Sequence, residues 1–123
     1  MQEQNMSYTE HALQEYKEGL GTFTRKMPDL ARHYNAFTEA CFREGAISQK
    51  QKHLMALGIS MVLQDEYCMI YHTKGCLDHQ CTEEEIFEAA GVAAAFGGGA
   101  AMSQAVTLVQ DCIEDLRESN PLQ

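Results

Sequence analysis

The sequence has few prolines, no strand-like pattern and no cluster of basic residues. Pro28 and Pro121 are its two prolines, and no useful stretch alternates between apolar and polar residues as a half-buried strand does. Nine Lys and Arg residues stand against 18 Asp and Glu residues, for a net charge of −9. Nucleic acids and anionic membrane surfaces bind positive patches, so neither is expected as a partner.

Long hydrophobic runs are also missing. The richest window, FEAAGVAAAFGGGAAM, is shorter than a membrane span, so no transmembrane helix is expected. The amino-terminal stretch MQEQNMSYTEHALQEY is acidic and polar, unlike a signal peptide. We therefore expect a cytoplasmic protein. Its 123 residues suit a single domain, 1–123.

The cysteines do not form an obvious disulfide framework. Their number, five, is odd, and a reducing compartment disfavours structural disulfides. The useful question is therefore which thiol reacts. The five are Cys41, Cys68, Cys76, Cys81 and Cys112.

Helix start and stop signals recur along the chain and predict an all-α fold of about six helices. Three capping boxes, in which Ser or Thr precedes Glu or Gln by three residues, open helices at Ser7, Ser48 and Thr82. Pro28 suits the first turn of another helix. The predicted helices are 8–20, 28–44, 49–64, one that holds Cys68 and His72 and ends near His79, 83–96, and 100–118.

The glycine-rich segment FGGGAAMSQA does not have the context of a phosphate-binding loop. No strand precedes it and no Lys-Ser or Lys-Thr pair follows it. The run of small residues over 89–101 instead predicts that two helices approach each other closely. We expect part of this surface to face another subunit.

The stretch DEYCMIYH, residues 65–72, places a cysteine and a histidine at helical spacing. Cys68 and His72 share a helix face. The dipole at the helix start favours an anion by about 0.3–1 kcal/mol, and Asp65 and Glu66, taken as solvated charges at about 4 Å, oppose one by about 1 kcal/mol each. These terms roughly cancel, so we expect His72, as base or cation, to favour the Cys68 thiolate. The alternative is a buried core cysteine, a common environment for a free thiol.

The flanking residues extend this motif over 50–94. A Leu-x-Ala-Leu helix, read as LMAL, is followed by YCMIYH and then by TEEEIFEA, ten residues after the histidine. In this order the segments resemble the core of the carboxymuconolactone decarboxylase family, most closely its alkyl hydroperoxidase D branch. The resemblance implies an all-helical fold of antiparallel hairpins that assembles into trimers or hexamers. It also implies a peroxiredoxin-like activity with a C-x-x-C pair, a histidine four residues after the second cysteine, and a glutamate twelve residues before the first.

Carried over by position, Cys68 matches the peroxide-attacking cysteine and His72 matches the histidine of the proton relay. Two positions depart from the family pattern, because Asp65 replaces the first cysteine and His53 replaces the glutamate. Asp65 cannot form a disulfide with Cys68, so the two-cysteine cycle cannot run as it does in family members with the full motif. Cys76 lies about 12 Å from Cys68 along a helix, beyond the roughly 7 Å limit for a disulfide.

The expected cycle therefore uses one cysteine. The Cys68 thiolate attacks a peroxide and becomes a sulfenic acid, which an external thiol or a cysteine of another subunit reduces. His53 can pass a proton in this scheme, or it can be an ordinary histidine near a helix start. On one straight helix it would lie about 22 Å from Cys68. The two side chains meet only if the chain breaks near 64–66 or if a neighbouring subunit supplies one of them.

Three functions remain open. The one we expect is a thiol-dependent peroxidase, a homo-oligomer with no cofactor, in which Cys68 and His72 act beside His53 and Asp65. A decarboxylase-like lyase on a small organic acid would need His72 but not the cysteine. An anionic substrate requires cations, and few lie near the motif. The third is a non-catalytic oligomeric binding protein with a decayed site. Metal binding is not expected, because the candidate ligands lack the close paired spacing of structural zinc sites.

Overall fold

The computed structural model describes residues 5–119, and this part of the chain is all-α, as predicted. Residues 1–4 and 120–123 of the predicted domain, including Pro121, lie outside the described residues. A turn of π-helix, Ala105–Val109, joins the last two α-helices. The α-helices are α1 (Tyr8–Lys26), α2 (Pro28–Cys41), α3 (Gln49–Leu63), α4 (Glu66–Asp78), α5 (Glu83–Gln104) and α6 (Gln110–Ser119).

The helix starts agree with the sequence signals because the capping side chains form the predicted hydrogen bonds. Ser7, Ser48 and Thr82 each accept a hydrogen bond from the backbone N–H three residues ahead. The Glu or Gln side chain at that position accepts one from the capping residue's N–H, which completes each box. Pro28 occupies the first position of α2, where its missing N–H costs no helical bond.

Two predicted helix ends are wrong by several residues. α1 continues to Lys26 rather than stopping near residue 20, because Gly19 and Gly21 keep helical backbone and the basic last turn complements the helix dipole. α2 ends at Cys41, three residues before the predicted end. There Phe42 leaves the helical conformation, with φ −94° and ψ 4°.

The glycine-rich segment interrupts α5 close to the predicted helix end. The sequence predicts an end near Phe96, and Gly98 leaves the helical conformation two residues later, although α5 as a whole spans Glu83–Gln104. Gly98 breaks the regular geometry with φ 67° and ψ −151°, a conformation open to glycine because it has no Cβ. The predicted separate helix 100–118 therefore corresponds to the end of α5, the π turn and most of α6.

Small residues let α3 and α5 approach each other closely, as predicted. A Cβ on Gly58 would lie 3.7 Å from the Ala93 Cβ, and one on Gly97 would lie 3.1 Å from Val62 Cγ2. The main core lies where α3, α4 and α5 meet the π turn and α6. This core holds α3 against α4, the two helices that carry the candidate site. Its fully buried large side chains include Leu57, Met61, Met69, Ile86, Val109 and Ile113.

The outer face of α3 and α5 is apolar and exposed, and it forms a groove of about 550 Å³. By length and composition alone, the helical stretch Glu83–Arg117 is also apolar and long enough to cross a membrane. The apolar window FEAAGVAAAFGGGAAM is shorter than a membrane span, but this helical stretch extends beyond it through the π turn and α6. The groove, which we call the α3–α5 face, is lined by Leu54, Met55, Gly58, Ile59, Val62, Leu63, Ala89, Val92, Ala93 and Phe96.

Candidate functional site

A break between α3 and α4 brings two predicted site histidines together. Gln64 takes a left-handed conformation, with φ 58° and ψ 40°, and ends α3. Asp65 then caps the start of α4. The two helices pack against each other, and His53 Nδ1 lies 3.3 Å from His72 Nδ1. A chain break near 64–66 was the condition for bringing His53 to the motif helix, and it is met within one subunit.

His53 lies in a slot lined by rings and by one glycine. Its side chain is 8% exposed, with ring centroids 5.0 Å from Phe42 and 4.8 Å from His79. A Cβ on Gly75 would lie 2.4 Å from His53 Nδ1, so α4 needs a glycine there for His53 to reach His72. His79 donates an Nδ1–H hydrogen bond of 2.8 Å to the Gly75 carbonyl, which fixes its own tautomer.

Cys68 lies in the first turn of α4 and is partly exposed. The Asp65 carboxylate accepts a 3.2 Å hydrogen bond from the Cys68 backbone N–H. Burial, reinforced by a hydrogen bond from the thiol to Asp65 and by the Asp65 charge, raises the pKa of Cys68 to about 11. The expectation that His72 favours the thiolate is therefore wrong for the resting site. That expectation counted Asp65 and Glu66 as solvated charges and left out the free-energy cost of burying the thiolate.

Both histidines of the pair are neutral at pH 7. Burial and the neighbouring His53 lower the pKa of His72 to about 4. Burial and His79 likewise lower the pKa of His53 below its ordinary value. A hydrogen bond between two neutral imidazoles joins an N–H donor to a bare nitrogen acceptor. When the donor ring gains a proton at its Nε2, the Nδ1–Nδ1 contact can pass the Nδ1 proton to the other ring.

Three of the four predicted site residues, Cys68, His72 and His53, line one cavity of about 450 Å³. Asp65 does not line it and contacts the site through its hydrogen bond from the Cys68 backbone N–H. Among the described lining residues, Glu39 is the one carboxylate and no Lys or Arg is present. The other lining residues are mostly aromatic or neutral: Tyr16, Leu20, Tyr34, Asn35, Thr38, Phe42, Gln49 and Tyr71.

Three residues of the site were not predicted as such. Gly75 and His79 follow His72 at helical spacing, so the sequence contained a signal for both in their shared face. Phe42 had no such signal, because its ring reaches His53 and His72 only after the chain leaves α2. Within the part of the chain that the structure describes, no three His, Cys, Asp or Glu side chains are arranged to hold a metal ion.

The sequence also matches a family model. Residues 28–111 match that of the carboxymuconolactone decarboxylase family. The chain belongs to this family. The match covers most of the chain, contains the motif segment 50–94, and includes Phe42 and the helices that carry His53 and Cys68.

Relatives of this family protein confirm the all-α fold. A crystal structure of a carboxymuconolactone decarboxylase family protein from Legionella pneumophila aligns with a TM-score of 0.82 at 26% identity, covering 87% of this chain and 96% of that one. A Thermotoga maritima family protein, whose description suggests a role in the antioxidative response, aligns with a TM-score of 0.69 at 32% identity, covering 79% and 98%. The Paracoccus denitrificans protein called uncharacterized protein 4 in cox locus is 33% identical over 86 residues, which are 70% of this chain and 78% of the relative.

Proposed function

We propose that this family member is a thiol-dependent peroxidase of the alkyl hydroperoxidase D type that works with one cysteine. The observation that carries the proposal is the shared cavity, which a partly exposed Cys68 lines together with the His53–His72 pair. The antioxidative role suggested for the Thermotoga maritima relative supports the same activity. Cys68 is the nucleophile, His72 and His53 move its proton, and Asp65 adds to the effect of burial in raising its pKa.

The proposed reaction consumes one hydroperoxide and two external thiols. The Cys68 sulfur attacks the terminal oxygen of the hydroperoxide, the O–O bond breaks, and the alkoxide leaves as an alcohol after taking the thiol proton through His72. Cys68 becomes a sulfenic acid. A cytoplasmic low-molecular-weight thiol attacks this sulfur and releases water, and a second one releases Cys68 and a small disulfide.

The charge state of the resting site determines how fast this reaction runs. With a pKa of about 11, about one Cys68 thiol in 10⁴ is ionised at pH 7. Neutral His72, with a pKa of about 4, is too weak a base to change this before substrate binds. We therefore expect slow turnover at neutral pH that rises about tenfold per pH unit up to pH 10.

The test measures consumption of cumene hydroperoxide with dithiothreitol as the reductant, together with dimedone labelling of sulfenic acid on Cys68. We expect Cys68→Ser to abolish turnover above the uncatalysed rate and His72→Gln to reduce it. Cys41→Ser is the matched control, because Cys41 is an exposed thiol outside the cavity. If Cys68→Ser consumes the hydroperoxide as fast as the parent protein, the proposal is wrong.

A lyase that acts on a small organic acid is less well supported by the same cavity. A carboxylate substrate needs a cation, and the lysines nearest the motif are engaged outside the cavity. Turnover of a lactone acid that survives Cys68→Ser and is lost in His72→Ala would favour the lyase. The engaged lysines are Lys50, 3.0 Å from Glu85; Lys74, 2.7 Å from Asp78; and Lys52, 2.6 Å from the Arg43 carbonyl.

The raised pKa of Cys68 favours a second candidate, a non-catalytic binding protein with the same cavity. A protonated thiol is a poor nucleophile, and aromatic walls suit a neutral organic ligand. The two candidates differ at high pH. A peroxidase shows dimedone-labelled Cys68 when hydroperoxide is added at pH 10, whereas a binding protein shows none.

We also propose that the protein is a homo-oligomer in which the α3–α5 face meets a second copy. Phe96 is 87% exposed on the wall of the groove, so a symmetric pair of copies could each insert Phe96 into the partner's groove. A net charge of −9 disfavours the alternative of an anionic membrane. In sedimentation velocity, Phe96→Asp should dissociate the oligomer and Phe96→Leu should retain it. A monomeric parent protein, or one that binds vesicles instead, would contradict this proposal.

A further inference from the structure

Two further cysteines meet at the end of α4, away from the cavity. Cys76 is completely buried and Cys81 is 6% exposed, and both belong to the main core. They are five residues apart, on either side of the turn that ends the helix. The proposed peroxidase cycle uses neither thiol.

The helix ends in a Schellman motif that brings these residues together. Gln80 is left-handed, with φ 63°, and its N–H donates to the Leu77 carbonyl at 3.1 Å. The Cys81 N–H donates to the Cys76 carbonyl at 2.9 Å. These are the two hydrogen bonds of the motif, in which the side chains at the positions of Cys76 and Cys81 characteristically touch.

The two thiols are neighbours in the core, and their surroundings differ. Burial raises the pKa of both thiols. Their interaction raises the pKa of Cys76 further and lowers that of Cys81, where the Lys50 ammonium also lowers it and the Glu85 carboxylate raises it. Cys81 is also the more exposed of the two, so it is the thiol that reacts first with an external reagent.

We propose that Cys76 and Cys81 are a dithiol that a small-molecule disulfide oxidises to an intramolecular disulfide. The backbone hydrogen bonds of the turn already hold the two residues side by side, so closing the bond requires side-chain rotation rather than a new chain path. The inference does not rest on the proposed peroxidase function, because it uses neither Cys68 nor a peroxide.

The chemistry is two steps of thiol–disulfide exchange. The Cys81 thiolate attacks one sulfur of the small disulfide, forms a mixed disulfide and releases one small thiol. The Cys76 sulfur then attacks the Cys81 sulfur, and the second small thiol leaves with the Cys76 proton. In total, the protein gives up two electrons and two protons, and one disulfide becomes two thiols.

Oxidation would act on the segment that supports the histidine pair. The ring enclosed by the new bond spans 76–81 and contains His79, which stacks on His53 at 4.8 Å and donates to the Gly75 carbonyl. A disulfide across this turn would hold the end of α4 in the conformation that supports His53. Reduction would leave the same conformation dependent on hydrogen bonds and core packing.

The test incubates the full chain with oxidised glutathione at pH 8.5, quenches with acid, alkylates the free thiols under denaturing conditions and maps the peptides. Cleavage before Asp78 separates the two cysteines, so their fragments stay joined only through a disulfide. We expect Cys76 and Cys81 to escape alkylation together, with their two fragments joined and weighing two hydrogen atoms less than the sum of the separate fragments. Cys112→Ser, which removes another buried thiol, should give the same result.

Single variants distinguish the order of the steps. Cys76→Ser should accumulate glutathione on Cys81, because the second exchange cannot follow. In Cys81→Ala, which keeps an apolar side chain in the core, Cys76 should stay unmodified. The proposal is overturned if both thiols remain fully alkylatable after oxidation, if Cys76 pairs with another cysteine, or if the joined fragments come from two chains.

Discussion

Replacing Gly75 by Ala would test whether packing against α4 holds the His53–His72 pair. The new Cβ would lie 2.4 Å from His53 Nδ1 and 2.6 Å from Cε1, closer than the 3.0 Å below which real Cβ contacts essentially never occur. His53 can retreat only by displacing the Phe42 or His79 ring. We expect an overpacking cost of about 1–3 kcal/mol in the free energy of unfolding. Up to about 1 kcal/mol of it is offset because Ala is a better helix former than Gly.

The sign of the effect should reverse when His53 is removed. In a His53→Ala background the clash disappears and the helix propensity remains, so Gly75→Ala should stabilise by up to about 1 kcal/mol. Urea unfolding of the four proteins at one protein concentration gives the coupling free energy directly. Gly91→Ala is the matched control, since nothing lies within 4 Å of a Cβ there, and it should be mildly stabilising in both backgrounds. A destabilisation by Gly75→Ala that is equal in both backgrounds would refute the packing argument.

Two further predictions concern protons at the same site. Asp65→Asn keeps a good helix-capping residue but removes the charge beside Cys68, so the pKa of Cys68 should fall below about 11. The rate of Cys68 alkylation by iodoacetamide, followed against pH, measures this pKa. An unchanged midpoint of the rate profile would contradict this role for Asp65. His72 has a pKa of about 4 in the folded chain against an ordinary value of 6.5, so the unfolded chain binds the proton more readily between these values. The contribution of neutral His72 to stability should be complete above pH 6.5 and be lost as the pH falls toward about 4. Urea unfolding across this range should show a shallower loss for His72→Gln than for the parent, and equal slopes would count against the assignment.

The helix starts could be predicted from the sequence because capping is local. Each capping box joins residues three positions apart, so no distant part of the chain can change its partners. Helix ends were less predictable. α1 ends six residues beyond its predicted end and α2 ends three residues before it, whereas Gly98 interrupts α5 two residues after the end predicted near Phe96.

The candidate site also has some features that follow from local sequence and others that depend on the folded chain. The shared face of Cys68 and His72 follows from their spacing, and the family pattern identified His53 and Asp65 as the neighbours to examine. The charge of Cys68 did not follow, because it depends on how much water the folded chain removes from the thiol.

The sequence by itself therefore determined the all-α class, the helix starts, and the Cys68–His72 pair on one helix face, since all three depend on residues a few positions apart. The tertiary structure alone decided that His53 reaches His72. That contact depends on a left-handed Gln64 between two packed helices and on the missing side chain at Gly75. It also decided the protonation of the site, because burial is a property of the folded chain and cannot be read from the order of its residues.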